Sequence, residues 1–301
     1  MSIYESLRTA ATGLATNKMR AALTMLGIII GVASVVALMS IGEGVEESIT
    51  GEIEGLGANL IFITPDQPED ATAPAYVTTA DAEALEDPFN APSLVAVAPS
   101  MQGQLRVTHD DASTILPISG TNSQYAEVRS QEMSMGGFLT EADLDEQTKV
   151  AVLGWNAYRE LFEEGDYPVG RSISIDGTRF EVVGVVEEQG GFGRDDDNIY
   201  VPLTTAQTRF FPQRTLSGER PVAAIYVSAA DENQVDPTVE QITTILRERH
   251  ELAADDEDDF AVTSQQSVLD FAAQITGIFT VFLGAIAGIS LLVGGIGIMN
   301  I

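Results

Sequence analysis

Two histidines, two lysines and a run of three aspartates are the residues of this 301-residue chain whose types could do chemistry, and cysteine is absent. A thiol nucleophile, a cysteine-based metal site and a disulfide framework are therefore excluded. His109 lies among polar residues, and His250 ends a predicted helix, where the helix dipole favours a cation. We interpret both histidines as capping or surface residues. Because no serine lies in a Gly-x-Ser-x-Gly elbow, we expect no catalytic residue in the chain.

The lysines and aspartates offer no nucleotide or metal site either. No glycine directly precedes Lys18 or Lys149, so neither can complete a phosphate-binding loop, and we expect no ATP hydrolysis by this chain. Residues 195–197 are all aspartate and could hold a cation, but the pattern of a calcium-binding loop is missing. We therefore interpret residues 190–198 as a solvated loop and predict neither a metal nor a cofactor. Other paired acids are too numerous to indicate glycosidase chemistry.

The charged and apolar residues occupy different parts of the chain. The net charge is −30, yet residues 21–42 and 271–301 carry no charge at all, so that residues 43–270 hold 44 of the 45 acids and 12 of the 15 basic residues. Such an acidic region repels phosphate, which excludes a nucleic-acid partner. The pattern predicts a polar domain between two apolar segments.

The two apolar segments predict membrane spans. Residues 21–42 would make a helix of about 33 Å, close to the roughly 30 Å of a hydrocarbon core. The alternative, a cleaved signal peptide, would have a shorter apolar region and a better cleavage site. Residues 271–301 exceed what a bilayer needs and predict a stalk followed by a second span.

Basic residues set the expected orientation. Arg8, Lys18 and Arg20 precede the first span, and acids follow it, so the N-terminus is predicted to be cytoplasmic and residues 43–270 extracytoplasmic. Residues 1–20 have apolar positions at helical spacing and indicate an amphipathic helix on the cytoplasmic membrane surface, with packing on protein as the alternative.

Glycine pairs in both spans have the spacing that close helix contacts in lipid require. Gly27 with Gly31, and Gly284 with Gly288, each place two glycines on one helix face. We predict that these four residues pack helices together and support self-association.

Between the spans, the sequence predicts an α+β domain made of two βαβ-like units and an insert. The units are a strand at 59–64, a helix at 79–85 capped by Thr79 and a strand at 94–98, and a strand at 222–228, a helix at 236–250 and a strand at 260–263. Together they would form one layer nearest the membrane. Residues 101–220 predict an inserted β-rich subdomain with one helix near residues 155–162. Its clearest hairpin turns at Asp176 and Gly177.

Several segments, in this order, carry a resemblance to a known family. They are residues 19–33, 59–65, 150–154, 167–171, 180–186, 200–207, 246–250 with 258–260, and 294–301. The chain resembles the MacB/FtsX-like ABC-transporter permeases over its whole length. The resemblance implies a membrane-proximal porter-like layer at residues 55–100 and 221–264, a sabre-like insert at 101–220, and further spans beyond residue 301.

The resemblance also implies a function. It predicts a permease that works with a cytoplasmic ABC ATPase subunit and a second permease copy, and whose extracytoplasmic domain moves to export or extract a substrate. The alternatives are a membrane-anchored sensor, which has the same order of span, domain and span, and an envelope or cell-division regulator of the same fold. Separately, the acid excess, with 2 lysines among 15 basic residues, favours a salt-adapted surface and a halophilic archaeal source.

Overall fold

The computed structural model describes residues 18–54, 59–68, 74–89, 91–110, 112–163, 165–189 and 195–299. The amphipathic helix predicted over residues 1–20 lies outside these residues except for its last three. The chain separates into two compact units, Met1–Thr50 with Leu269–Ile301, and Gly51–Val268. We call them the helical unit and the α+β unit.

Helices and strands are interspersed along the described residues. The helices are α1 (Lys18–Glu54), α2 (Thr79–Leu85), α3 (Tyr125–Val128), α4 (Glu141–Asp145), α5 (Trp155–Leu161), α6 (Leu203–Arg209), α7 (Val235–Arg249) and α8 (Gln265–Met299). The strands are β1 (Leu60–Pro65), β2 (Val77–Thr78), β3 (Leu94–His109), β4 (Ala112–Thr121), β5 (Met133–Gly136), β6 (Val150–Leu153), β7 (Ser172–Ile175), β8 (Thr178–Val186), β9 (Ile199–Pro202), β10 (Pro221–Val222), β11 (Ala224–Ala229) and β12 (Phe260–Ser264). Short 3₁₀ turns lie at Asp195–Asp197 and Glu232–Gln234.

The two predicted βαβ units interleave in one sheet with the strand order β12-β1-β11-β3. Every neighbouring pair is antiparallel, and Ile61 in β1 lies opposite Val227 on one side and Ser264 on the other. Each unit is therefore a split βαβ motif, because a strand of the other unit lies between its own two strands. Apolar residues of these strands pack with α2 and α7 around Ile63, Leu85 and Ile242.

One strand carries the sheet from this layer into the insert. The strand predicted at 94–98 is sixteen residues long, because β3 pairs with β11 in its first part and with β4 from Met101 to His109. Beyond residue 101 its apolar residues alternate with exposed polar ones such as Gln104 and Arg106. This alternation is typical of a strand with one face in solvent. The apolar run at residues 94–98 therefore marks only the first part of the strand.

The insert has more helix than its sequence predicts. Besides α5, which was expected, α3, α4 and α6 are helical. α4 is short but well capped, since Thr140 and Asp143 exchange side-chain to backbone hydrogen bonds. The predicted hairpin of β7 and β8 is confirmed: Ile175 pairs with Thr178, and Asp176 and Gly177 have φ values of 45° and 78°, as a type I′ turn requires.

The cap of α2 lies one residue earlier than predicted. Thr78 Oγ1 accepts a hydrogen bond from the backbone N–H of Asp81, and the Asp81 carboxylate accepts one from the backbone N–H of Thr78. The predicted cap, Thr79, instead donates its backbone N–H to the carbonyl of Arg220. The reciprocal capping box therefore selects Thr78.

Both long helices extend beyond the predicted spans. α1 continues from Gly42 to Glu54, and α8 begins at Gln265, directly after β12 ends. The Ser264 hydroxyl accepts a hydrogen bond from the backbone N–H of Ser267 and so caps the first turn of α8. Among the described residues, Met25–Gly42 and Gln265–Ser290 are long and apolar enough to cross a membrane.

Candidate functional site

The glycines predicted to pack helices have different surroundings in the helical unit. A Cβ added at Gly27 would lie 3.7 Å from the Ser290 carbonyl oxygen of α8, and Gly31 is buried. A Cβ added at Gly284 or Gly288 would meet no heavy atom within 4 Å among the described residues outside its own helix. The first pair therefore lies where α1 meets α8, and the second pair is open.

Charged side chains around the buried Asp81 join α2 to the end of α7 in the α+β unit. Arg249 Nε donates to Asp81 Oδ1 at 2.7 Å, and His250 contacts both Asp81 Oδ2 at 3.4 Å and Asp259 Oδ1 at 2.6 Å. The Asp81 side chain is only 2% exposed. We call Asp81, Arg249, His250 and Asp259 the α2–α7 cluster.

The carboxylates and cations of this cluster fix each other's charge states. Hydrogen bonding to Asp81 raises the pKa of His250 to about 9, partly opposed by burial and helped by Asp259. Burial alone would raise the pKa of Asp81, but hydrogen bonds from His250, Arg249 and Thr78 outweigh burial and hold that pKa well below its usual range. His250 thus ends α7 as predicted, but it is paired in the interior rather than lying at the surface.

A second set of buried polar groups lies between the insert and the layer. Arg129 pairs with Asp195, and its guanidinium carbon lies 5.3 Å from the centre of the Tyr226 ring. Tyr125 and Tyr200 are fully buried beside them. We call Arg129, Asp195, Tyr125, Tyr200 and Tyr226 the tyrosine cluster. Burial raises the pKa of both Tyr125 and Tyr200, so these hydroxyls stay protonated.

This pairing corrects the expected solvated loop. Of the three aspartates, Asp195 binds Arg129, Asp196 is buried and accepts the Gln189 backbone N–H at 3.1 Å, and Asp197 accepts from Asn156 at 2.9 Å. Residues 190–194 lie outside the described residues. Within the described part of the chain, no group of three or more acidic or histidine side chains could hold a metal ion.

His109 has a structural role at the end of β3. Its Nδ1 lies 3.0 Å from the Ser172 carbonyl oxygen, and its ring centre lies 4.1 Å from that of Phe162. The ring thus connects β3 to the hairpin strand β7 and to the end of α5. No nucleophile is placed beside it among these contacts.

A cavity lies inside the α+β unit. It is a cleft of about 690 Å³ bounded by α2, α4, α6 and residues 214–220. Five acidic side chains line it, namely Glu83, Glu86, Glu141, Asp145 and Glu219. We call it the acidic cleft. Its acids come from three separate segments, and no single motif in the sequence indicates it.

The fold and the exposed apolar helices define a class of protein, a membrane protein that carries an extracytoplasmic α+β domain. Val32, Ile41, Phe279 and Val281 are among the large apolar side chains that are more than half exposed on α1 and α8. Residues 21–245 match the sequence model of the family described as the MacB-like periplasmic core domain. The chain belongs to this family, and the resemblance drawn from its sequence is confirmed.

Curated relatives agree with the family. The chain is 36% identical over 306 residues to a "Macrolide export ATP-binding/permease protein MacB" of Rhodospirillum rubrum, covering 100% of this chain and 45% of that protein. It is 32% identical over 302 residues to a "Pyoverdine export ATP-binding/permease protein PvdT" of Pseudomonas putida, covering 99% and 44%. The chain thus spans less than half the length of these relatives.

Solved structures share the fold. The periplasmic region of MacB from Actinobacillus actinomycetemcomitans superimposes with a TM-score of 0.60 at 21% identity, covering 75% of this chain and 97% of that one. The extracellular domain of the noncanonic ABC-type transporter YknZ from Gram-positive bacteria gives a TM-score of 0.56 at 19% identity, covering 68% and 100%. The predicted α+β fold class is confirmed.

Proposed function

We propose that this chain is the permease part of an ABC transporter that couples ATP hydrolysis by a separate cytoplasmic ATPase to movement of its extracytoplasmic domain, for export or extraction of a substrate. The relatives are named as ATP-binding and permease proteins for export, and the residues matched here contain no phosphate-binding loop. The nucleotide site therefore lies outside these 301 residues.

The observation that carries the proposal is the direct connection of α8 to β12. The helix begins at the residue after the strand ends, and Ser264 belongs to the strand while capping the helix. Because no flexible linker intervenes, a displacement of α8 would be passed to β12 and through its register to β1. A tethered binding domain would not need this connection.

The membrane arrangement is part of the same proposal. The N-terminus is cytoplasmic and residues 43–270 are extracytoplasmic, as the basic residues before the first span favour. Residues 55–100 and 221–264 correspond to the porter-like layer, and residues 101–220 to the sabre-like insert. Membrane lipid surrounds the exposed apolar faces of α1 and α8.

A second permease copy, as homodimer or heterodimer, completes the working unit. Gly284 and Gly288 face open space in one chain, which leaves them available to a helix of the second copy, whereas Gly27 packs within the chain. Replacing Gly284 and Gly288 by Leu is expected to reduce crosslinked pairs. The same change at Gly27 and Gly31 is expected to disturb the chain's own α1–α8 packing. Unchanged crosslinking in both variants would contradict the role of these glycines.

Cysteine crosslinking tests the coupling itself. The chain has no cysteine of its own. Cysteine pairs engineered across two copies of the α+β unit can therefore be crosslinked without background reaction. Membranes containing the ATPase are compared with and without a non-hydrolysable ATP analogue. We expect crosslinking to change with nucleotide, and ATPase activity to require the separate subunit. Identical crosslinking in both states would refute the mechanical coupling.

A further inference from the structure

Two glycines lie where strand β3 passes from the layer into the insert. β3 pairs with β11 up to Ser100, which lies opposite Ala224, and with β4 from Met101 onward. Met101 pairs with Gly120 of β4, and Gly103 lies two residues further along β3. Both glycines are therefore on the face of Met101, because directly opposite residues and residues two apart share a face of a sheet. Together they leave a depression in this face.

The segment that contains α6 fills the depression. A Cβ added at Gly120 would overlap the Cβ of Ala206, and a Cβ added at Gly103 would come within 2.5 Å of the Cε1 and Cζ atoms of the Phe211 ring. Carbon atoms in contact lie about 3.5–4.0 Å apart, so neither position has room for a methyl group. The Phe211 ring therefore lies directly on the backbone of β3, which is a close approach that glycine permits.

Phe211 packs against both of the apolar cores that flank this crossing. One core lies in the layer around Ile63, the other lies in the insert around Phe180, and Phe211 packs against each of them while staying partly exposed. Its neighbour Phe210 packs against the insert core, with its ring centre 5.7 Å from that of Phe180. Among the described residues, Phe210 does not pack against the layer core. Phe211 is thus the ring of this pair that joins the two parts.

Hydrogen bonds hold the segment on both sides of the crossing. Gln207 Nε2 of α6 donates to Thr79 Oγ1 of the layer at 3.0 Å, and Thr205 Oγ1 of α6 donates to the Thr148 carbonyl of the insert at 2.9 Å. The backbone N–H of Phe211 donates to a carbonyl of α6 at 3.0 Å. The position of Phe211 is therefore fixed relative to α6, and α6 is bonded to both parts.

We propose that Phe211, which lies on Gly103, acts as a wedge that sets the angle between the insert and the layer. The other face of β3 is held by the tyrosine cluster, where Tyr226 lies opposite Ala98 and contacts Arg129 of the insert. With a contact on each face, the insert is expected to turn with the layer as one body. This use of the wedge rests on the proposed transport function. The wedge itself is tested without nucleotide, so that the two proposals can fail separately.

Distances between two spin labels test the wedge in the full chain in detergent. Because cysteine is absent, Arg179→Cys in the insert and Glu240→Cys on α7 of the layer place one label on each part, both at exposed positions. Labelled chain is diluted with unlabelled chain, so that pulsed double electron–electron resonance measures distances within one chain. Phe211→Ala is expected to broaden the distance distribution. Gly103→Ala is expected to shift its mean, because the added methyl group displaces the ring by about 1 Å or more.

Matched variants separate the wedge from a general loss of packing. Phe210→Ala removes the same ring from the same segment and should leave the distribution unchanged. Gly137→Ala should also leave it unchanged, since a Cβ there meets no heavy atom within 4 Å among the described residues. In the Phe211→Ala background, Gly103→Ala should have no further effect, because the ring that it displaces is gone. Thermal unfolding followed by circular dichroism identifies a variant that does not fold, and Phe211→Leu then replaces Phe211→Ala.

Three results would each overturn the proposal. The first is the same distance distribution in wild type and in the folded Phe211 variant. The second is a change in Phe210→Ala as large as the change in the Phe211 variant. The third is an undiminished effect of Gly103→Ala after the ring has been removed, which would show that the glycine acts on the strand rather than on the ring.

Discussion

The α2–α7 cluster and the tyrosine cluster bury charge in opposite ways. In the first, Asp81 accepts hydrogen bonds from Thr78 and Arg249 and contacts His250, so one carboxylate is surrounded by donors. In the second, one carboxylate faces one guanidinium among tyrosine rings, and Arg129 Nε and Tyr125 OH lack a partner among the described residues. The comparison shows that several donors share the stabilisation of one carboxylate in the first cluster, whereas the second cluster depends on a single ion pair.

The two clusters also connect different parts. The α2–α7 cluster joins two helices of one layer. The tyrosine cluster brings together Arg129 of the insert and Tyr226 of the layer. We therefore expect the first to control the stability of the layer and the second to control the connection between the layer and the insert.

The largest effect is expected at the single ion pair. Arg129→Met leaves Asp195 half-buried without its cation, and such breakage costs about 3–5 kcal/mol. Unfolding of the full chain in detergent, followed by circular dichroism, measures the loss. The double variant Arg129→Met/Asp195→Leu removes both charges and should recover most of it. A single variant as stable as the double variant would show that the pair matters little.

A smaller loss is expected at Asp81, because Arg249 is 32% exposed to solvent and His250 keeps its contact with Asp259. Asp81→Asn removes the charge that pairs with Arg249 and His250 and weakens the cap of α2, for about 2–4 kcal/mol. Asp143→Asn is the matched control, since Asp143 forms the same capping box with Thr140 at an exposed site without a cation. It should cost about 0.5–2 kcal/mol. Equal losses would mean that Asp81 acts only as a cap.

Alkaline pH should distinguish the clusters. The pKa of His250 is raised from 6.5 to about 9 in the folded state. Its contribution to the free energy of unfolding is therefore complete below pH 6.5 and is lost as pH rises through about 9. The loss should reach up to about 3 kcal/mol in the free energy of unfolding. His250→Gln should flatten this decline, and His109→Gln should not. Arg129→Met should keep the decline, because the tyrosine cluster does not titrate there.

Salt should produce the smallest difference between the clusters. Screening of a net charge of −30 is expected to raise the midpoint of thermal unfolding from low to multimolar KCl. Buried pairs are screened much less, so the differences between wild type and the Asp81→Asn or Arg129→Met variants should stay nearly constant. A midpoint that does not rise would contradict the predicted salt-adapted surface.

Local signals were read correctly from the sequence, and long-range pairings were not. Asp176 and Gly177 define their turn within a few residues, and the apolar runs define both long helices. The sequence correctly predicts that His250 ends α7. Its partner Asp81 lies in another helix far away in the chain, and no sequence pattern predicts a contact between residues so far apart. The sequence predicts a solvated Asp195 for the same reason, because its partner Arg129 lies 66 residues earlier in the chain.

The capping threonine and the acidic cleft show two further limits. Thr78 and Thr79 are adjacent candidates, and the capping box that Thr78 forms with Asp81, three residues on, decides which one caps α2. The acids of the cleft come from three segments of a chain with 45 acidic residues. The composition therefore does not predict which acids lie together.

The register of β1 has a consequence for how the chain acquires its structure. Both neighbours of β1, which are β11 and β12, follow it by more than 150 residues, with Leu60 opposite Ser228 and Ile61 opposite Ser264. During synthesis β1 is therefore an unpaired apolar segment until nearly the whole α+β unit exists. The insert, whose strands pair with nearer partners, can form first. Pairing of β1 with β11 and β12 is then the late and slow step of folding. Until that step, Ile61 and Ile63 are exposed and can aggregate with other chains.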